Sequence, residues 1–280
     1  MGMAESLSSQ FRVKSRKMII YKSPEEIKMM KKSGQLVGLI LQELKDMIVP
    51  GLRTLDLDKY AEARAKELGA RPAFKNYRGY PASLCVSINE EIIHGLPSDR
   101  KLREGDIVSL DFGVVYEGFY GDAAITCPVG QISDKAQLLI DTAKGAFWAG
   151  VKFFKEGNYL SDISHAIQTY VEAQGFSVIR NFVGHGIGYS LHEDPQVPNY
   201  GLPGHGPRLK PGLVLAIEPM IASGGHEVEV LTDGWTAITR DRSLSAHYEH
   251  TIALTENGVK ILTLVDETES KEWKKGVFNA

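Results

Sequence analysis

The sequence predicts an α+β fold with internal pseudo-twofold symmetry. Two stretches, about 23-128 and 133-265, share one order of elements: two helices followed by a strand-rich segment. An offset of 106 residues maps Gly51 onto Gly157, and neighbouring positions match at nearly the same offset. Solenoids are built from three or more shorter repeats. Two long copies without a composition break therefore favour a single domain with two structural repeats.

Each half begins with recognisable helix signals. In the first half, Ser23 is a helix cap, Pro24 occupies the first helical position, and Glu26 closes a capping box. Apolar residues at helical spacing then continue to a Pro-Gly pair. A second helix is predicted over 56-68, before a strand-rich stretch over 82-128. The same pattern predicts two further helices in the second half, over 134-155 and 162-174.

Bulk composition excludes several classes of protein. The chain has 280 residues, 43% of them apolar, which fits one large domain. The net charge of -3 gives no support for a specific nucleic-acid partner. No apolar run approaches the roughly 20 residues of a membrane span, and the N-terminus lacks a signal-peptide core. We therefore expect a cytoplasmic monomer with no membrane partner, an N-terminal extension over 1-22 and a single domain over 23-280.

Carboxylates interrupt apolar strands at matched places in the two halves. Asp111 and Asp122 lie within "DIVSLDFGVVYEGFYGDAAIT". Glu218 ends the strand that corresponds to the one holding Asp111, and Glu249 opens an apolar strand as Asp122 does. A buried carboxylate is costly without a positive partner, and four in one core would repel each other. Two divalent cations would resolve that repulsion, as in many hydrolytic sites.

Histidine supplies a fifth candidate ligand. His185 lies between glycines in "FVGHGIG", and the first half has no matching histidine, so the two metal sites would be inequivalent. Oxygen ligands with one imidazole suit Mn, Fe, Co or Zn. Taken singly, Asp111 is explained as well by backbone hydrogen bonds, and His185 as a turn residue. The matched placement of Asp111 and Glu218 favours the metal interpretation for the set.

Several long motifs resemble those of one known family, the type I methionine aminopeptidases. They are "INEEIIHGLP", "LDFGVVYEGFYGDAA", "GHGIG", "LHEDPQVPNYG", "PGLVLAIEPM" and "DGWTAITRDRSLSAHYEHTIALTENG". The likeness runs from about Tyr21 to Leu264. His185 and Glu218 are only 33 positions apart, which favours type I over type II. The resemblance implies the pita-bread fold, an antiparallel sheet core covered by two helix pairs. It also implies these metal ligands: Asp111, Asp122, His185, Glu218 and Glu249.

The same resemblance implies roles for other residues. His94 and His192 would contact substrate, with His94 on the scissile amide and His192 donating to the developing oxyanion. Glu218 would also act as general base. A weaker implication is a monovalent cation near Asn89 and Ser245. The methionine pocket would be formed by Tyr77, Tyr80, Cys85, Leu191 and Trp235, although some family members carry Phe where Leu191 stands.

Taken together, the resemblance implies a metal-dependent exopeptidase with two divalent ions. It would remove the N-terminal methionine from new polypeptides when the second residue is small. Nascent polypeptide N-termini would be its partners, and contact with the ribosome is plausible for such an activity. Two alternatives stay open at this point. Prolidases and proline aminopeptidases share the fold and ligand set but usually carry a large N-terminal domain, and non-enzymatic relatives have lost metal ligands.

Overall fold

The computed structural model describes residues 18-265, which contain four α-helices and an antiparallel sheet. The predicted extension over 1-22 therefore lies mostly outside the described residues, as do residues 266-280 of the predicted domain. The helices are α1 (Pro24–Asp46), α2 (Thr54–Glu67), α3 (Asp134–Val151) and α4 (Leu160–Ala173). The strands are β1 (Arg71–Pro72), β2 (Cys85–Ile88), β3 (Glu91–Ile93), β4 (Ile107–Tyr116), β5 (Phe119–Pro128), β6 (Ser177–Val178), β7 (Gly184–Gly186), β8 (Glu193–Val197), β9 (Val214–Ile217), β10 (Met220–Ala222), β11 (Val228–Val230), β12 (Ala237–Thr239), β13 (Ser245–His247), β14 (Glu249–Thr255) and β15 (Gly258–Ile261).

Helix boundaries follow the local sequence signals where such signals exist. The capping box at α1 is present, because the Glu26 N–H donates to Ser23 Oγ at 3.2 Å and the Ser23 N–H donates to Glu26 Oε2 at 2.6 Å. Helix α2 begins two residues before the predicted 56. Its N-cap, Arg53, makes no side-chain capping bond, so the sequence carries no signal for the true start.

The large sheet has the strand order β1-β4-β5-β14-β9-β7-β8, with β2 also paired to β4 and β15 to β14. All of these pairs are antiparallel. The longest ladder joins β4 to β5 over ten residue pairs, and it holds two of the predicted ligands. Two three-stranded sheets, β13-β10-β6 and β11-β12-β3, lie outside this path.

Each helix pair covers its own half of the sheet. Buried residues of α1 and α2, such as Leu44 and Leu57, form one apolar cluster with Phe112 of β4. Buried residues of α3 and α4 form a second cluster with β9 and β14, which includes Phe147 and Ile163. This arrangement is the predicted α+β fold, a pseudo-twofold sheet covered by two helix pairs.

The offset found in the sequence recurs in the backbone. Helices α2 and α4 each have 14 residues, and their first residues lie 106 positions apart. Gly51 and Gly157, which precede them, both have left-handed backbone conformations with φ of 90° and 87°. A side chain would strain the chain there, so glycine is needed at both places. The proposed domain boundaries stay a prediction.

No helix among residues 18-265 is sufficiently long and apolar to span a bilayer.

Candidate metal centre and active site

Strand register places three of the predicted ligands on one face of the sheet. Asp111 of β4 lies opposite Ala124 of β5, and Gly113 lies opposite Asp122. Glu249 of β14 also pairs with Ala124, on the other side of β5. Because side chains alternate between faces, Asp111, Asp122 and Glu249 all point to the same side. Ala124 lies between Asp111 and Glu249 in the sheet, and its small side chain leaves room above the sheet for their carboxylates.

The other two predicted ligands reach the same face from β7 and the end of β9. His185 pairs with Ala216, and Glu218 follows Ala216 by two positions, so the alternation places both on one side. His185 Nε2 lies 3.4 Å from Glu218 Oε1. Ligand atoms of Asp122, His185 and Glu249 all lie within 4.8 Å of one another. The fold therefore brings residues from both halves into one cluster.

The cluster has the free ligand atoms that a cation requires. Within residues 18-265, Asp111 Oδ1, Asp122 Oδ1 and Glu249 Oε1 are buried without a hydrogen-bond partner. The ring nitrogen Nδ1 of His185 lies 2.9 Å from the Gly186 carbonyl oxygen, which can only accept, so Nδ1 carries the proton. The lone pair is then on Nε2, the nitrogen nearest the carboxylates. This hydrogen bond is typical of metal-ligating histidines, and the donor set fits divalent ions.

Burial shifts the protonation of every member of the cluster towards the neutral form. It raises the pKa of Asp111 to about 7. It also raises the pKa values of Asp122, Glu218 and Glu249 well above their usual range, and the neighbouring carboxylates raise them further. Burial lowers the pKa of His185 to about 4. Without a cation the carboxylates retain protons near neutral pH, and a bound cation would displace these protons.

These residues form part of the lining of one cavity of about 410 Å³. Every residue predicted to bind metal, act in catalysis or contact the methionine side chain lines it: Tyr77, Tyr80, Cys85, His94, Asp111, Asp122, His185, Leu191, His192, Glu218, Trp235 and Glu249.

Two histidines stand beside the acidic cluster. The ring of His192 stacks on that of Tyr77 with centroids 5.3 Å apart, and its Nδ1 lies 2.9 Å from the Tyr77 hydroxyl. Desolvation and the nearby His185 ring lower the pKa of His192, which favours the neutral ring at pH 7. His94 has a left-handed backbone conformation with φ of 61°, and it meets Phe182 edge-on with ring centroids 5.6 Å apart. Burial lowers the pKa of His94 as well.

The remaining predicted residues form a largely apolar wall. Tyr80 and Trp235 meet edge to face with ring centroids 5.2 Å apart, and the Tyr80 hydroxyl donates to the Gly95 carbonyl at 2.9 Å. Leu191 is buried, and so is Cys85, which pairs with Asp111 across β2 and β4. Burial raises the pKa of Cys85 well above its usual value, so the thiol stays neutral.

Asn89 and Ser245, predicted to lie near a monovalent cation, contact each other. The Ser245 N–H donates to the Asn89 carbonyl at 2.8 Å. Their side chains already bind protein groups, because Asn89 Nδ2 donates to Asp106 and Ser245 Oγ donates to the Ile221 carbonyl. The structure thus brings the two residues together, and a monovalent cation near them stays a prediction.

The cavity also contains residues to which sequence reasoning assigned no role. Phe182 and Gln196 line it. Both lie inside motifs already singled out, "FVGHGIG" and "LHEDPQ", so their proximity in sequence to His185 and His192 was a usable signal. Phe74 and Arg78 line it too, and no pattern in the sequence marks either of them.

Comparison with known proteins identifies the family. The model of metallopeptidase family M24 matches residues 28-256. The chain is 52% identical over 248 residues to methionine aminopeptidase 1 of Bacillus subtilis, covering 89% of this chain and all of that one. The chain belongs to metallopeptidase family M24 and, within it, to the methionine aminopeptidases. As an M24 metallopeptidase with a buried carboxylate–histidine cluster, it is a hydrolase that uses divalent metal.

Solved structures show the same relationship in three dimensions. A methionine aminopeptidase from Thermotoga maritima is 50% identical and superposes with a TM-score of 0.86, covering 88% of this chain and 99% of that one. A prolidase from Pyrococcus furiosus is 24% identical with a TM-score of 0.73, and this chain covers only 66% of it. The likeness to the prolidase shows a shared pita-bread fold and nothing more. This M24 chain therefore groups with the methionine aminopeptidases on both sequence and structure.

Proposed function

We propose that the chain removes the N-terminal methionine from newly made proteins and peptides when the second residue is small. One observation carries the proposal: an acidic cluster, two histidines and an apolar wall line the same cavity. The cluster suits metal-assisted hydrolysis, and the wall suits an apolar side chain such as methionine. Family membership supplies the reaction class, hydrolysis of the first peptide bond.

Five residues would hold the metal: Asp111, Asp122, His185, Glu218 and Glu249. Their oxygens and single imidazole suit Mn, Fe, Co or Zn, and two divalent ions would balance the four carboxylates. When bound, such ions lower the pKa of an attacking water towards about 7. The unpartnered buried oxygens described above support this assignment, because such atoms are rare in stable folds unless a ligand satisfies them.

Proton transfer is assigned to the side chains closest to the reacting bond. Glu218 takes a proton from the attacking water and passes it to the leaving amine. His192 is neutral, and when the Tyr77 hydroxyl donates to Nδ1, the ring proton is on Nε2. That proton is then available to the developing oxyanion, where a hydrogen bond counts most in the transition state. His94 binds the amide of the scissile bond.

Specificity for methionine follows from the shape of the wall. Tyr77, Tyr80, Cys85, Leu191 and Trp235 enclose an unbranched side chain and offer aromatic and thiol contacts to a thioether. Branching at Cβ would clash with this slot, so Ile and Val are rejected. Leucine is close to methionine in volume and is the best incorrect residue. The second residue must pass the loop near His94, which favours small side chains there.

Further properties follow from this assignment. A monovalent cation binds near Asn89 and Ser245. The substrate partners are nascent polypeptide N-termini, so the chain acts in the cytoplasm and meets the ribosome. It acts as a monomer.

The decisive experiment is metal-dependent release of methionine from Met-Ala-Ser. Acetyl-Met-Ala-Ser is the control, because an exopeptidase requires a free α-amine. A parallel comparison of Met-Pro with other Xaa-Pro dipeptides tests the prolidase alternative. Release from Met-Ala-Ser alone supports the proposal. Efficient hydrolysis restricted to Xaa-Pro substrates, or cleavage of the acetylated peptide, would contradict it.

A further inference from the structure

A buried ion pair connects the segment before α1 to the loop that carries His192. Lys22 Nζ contacts Glu193 Oε2, and the two side chains are only 1% and 6% exposed. Charges this deeply buried are tolerated when they are paired and costly when one partner is removed. The Lys22 N–H also donates to the Gly212 carbonyl at 2.7 Å, so its backbone is anchored to the body of the fold.

Glu193 uses its other oxygen to hold the loop before it. Glu193 Oε1 accepts the N–H groups of Tyr189 at 2.7 Å and Ser190 at 3.1 Å. His192 lies between these residues and Glu193, directly before the first residue of β8. The carboxylate thus closes a hydrogen-bonded loop over residues 189-193, and this loop includes the backbone of His192.

The Lys22 side chain also packs against the loop backbone. A Cβ at Gly188 would lie 2.2 Å from Lys22 Cε, so only glycine allows this approach. The ammonium group lies 5.8 Å from the centre of the Tyr189 ring, and the Tyr189 hydroxyl contacts Glu26 in the first turn of α1. Two residues around the start of α1, Lys22 and Glu26, therefore contact this loop. Of these two, Lys22 is the one whose charged side chain is buried.

We propose that Lys22 is a positioning residue for His192 and acts through Glu193. The inference rests on the proposed function, in which His192 donates to the oxyanion. A displacement of about 1 Å at a reacting group can cost on the order of 10²-fold in rate. Loss of the Lys22 charge would free the Glu193 carboxylate to move and would take His192 out of position. Lys22 itself does not line the cavity.

A double-mutant cycle between Lys22→Met and His192→Ala tests the inference. The measurement is kcat for Met-Ala-Ser at saturating metal. We expect Lys22→Met to lower kcat by roughly 10- to 100-fold in the wild-type background. In the His192→Ala background it should lower kcat less than about twofold, because residues acting as a unit are strongly non-additive. The conservative Lys22→Arg variant should recover part of the loss.

Arg64→Met is the matched control. Arg64 pairs with Glu43 between α1 and α2, away from the cavity, with the two side chains 30% and 25% exposed. Its loss should leave kcat unchanged in both backgrounds. Additive losses for Lys22→Met and His192→Ala would mean that Lys22 supports only the fold, and would overturn the inference. If Lys22→Met does not fold, Glu193→Gln replaces it, because glutamine keeps an oxygen for the Tyr189 and Ser190 N–H groups.

A measurement without turnover separates this inference from the proposed function. Imidazole NMR signals of the whole protein can be assigned to His192 by their absence in His192→Ala. Lys22→Met should shift them, whereas Arg64→Met should not. Unshifted His192 signals would refute positioning even if the enzyme is active. If wild-type protein releases no methionine while the shift is present, the proposed function fails and the positioning contact stands.

Discussion

The acidic cluster predicts that the metal-free protein loses stability as the pH rises above 6.5. Burial raises the pKa of Asp111 from 3.8 to about 7, and burial together with the neighbouring carboxylates raises the pKa values of Asp122, Glu218 and Glu249 well above their ordinary values. In the unfolded chain these groups are ionised above roughly pH 5. The folded state therefore binds more protons than the unfolded state, and its stability falls with rising pH.

Buried histidines determine the pH window in which this effect can be seen. Burial lowers the pKa of His185 from 6.5 to about 4 and that of His247 to about 3. Below pH 6.5 these rings take up protons in the unfolded chain but stay neutral in the folded chain. Their contribution therefore makes stability rise with pH, which is opposite to the contribution of the carboxylates. At pH 6.5 each of these rings is still about half protonated in the unfolded chain, and the rings become neutral in both states as the pH approaches 8. The opposing contribution of the histidines therefore fades between pH 6.5 and 8, while the contribution of the carboxylates persists.

The expected size follows from the number of retained protons. Each additional proton in the folded state changes the free energy of unfolding by about 1.4 kcal/mol per pH unit. One retained proton thus gives a loss of about 2 kcal/mol between pH 6.5 and 8. The assay is urea unfolding followed by tryptophan fluorescence in the presence of a chelator, at several pH values across that window.

Two companion measurements identify the cause. Saturating divalent metal should abolish the loss, because metal ligands are already deprotonated in the loaded protein. Asp111→Asn should reduce the slope in the metal-free protein, since it removes one titrating group. Metal-free stability that stays constant or increases between pH 6.5 and 8 would refute the reasoning, and so would an equal slope with metal bound.

The remaining predictions concern turnover. Loss of a residue that hydrogen-bonds a metal ligand typically costs roughly 10- to 100-fold in activity. Asp111→Asn and His185→Ala remove a proposed ligand itself, so each should lower activity by more than that and should weaken metal binding measured by calorimetry. Wild-type turnover at saturating metal would contradict the ligand assignment. Glu218→Ala should cost more kcat than His192→Ala, because one oxyanion donor contributes about 10²–10³; the reverse order would exchange their roles. Leu191→Phe should narrow the slot and lower cleavage of Leu-Gly-Gly relative to Met-Gly-Gly by about 10-fold, and an unchanged ratio would remove Leu191 from the wall.

Sequence reasoning reached the acidic cluster because strand periodicity carries three-dimensional information. Asp111 and Glu218 occupy corresponding strands, and a residue spacing of two fixes the face to which each carboxylate points. Arg78 and Phe74 show the limit of that reasoning. They approach the cavity from a turn after β1. A turn has no regular alternation of side chains, so the position of a residue in the sequence does not tell which way its side chain points. Their place depends on how this turn packs against the rest of the fold.

The Lys22–Glu193 contact shows the same limit at longer range. The two residues are 171 positions apart, and neither is one of the matched positions that led to the predicted metal ligands. A lysine just before a helix cap is ordinarily an exposed residue. Only the packing of the segment before α1 against the loop before β8 shows that its charge is buried. Ion pairs between distant segments leave no local pattern, so they cannot be read from one sequence.

The backbone around the ligands explains how side chains without partners are kept in place. The Asp122 N–H donates to Thr251 Oγ1 at 3.1 Å, and the same hydroxyl donates to the Asp122 carbonyl at 2.8 Å. The Glu218 carbonyl accepts from Asn199 Nδ2 at 2.9 Å. Neighbouring side chains thus satisfy the main chain at both proposed ligands, while Asp122 keeps a carboxylate oxygen without a hydrogen-bond partner. If these residues bind metal as proposed, their main chain is already held by hydrogen bonds, so little ordering of the backbone would remain to oppose binding.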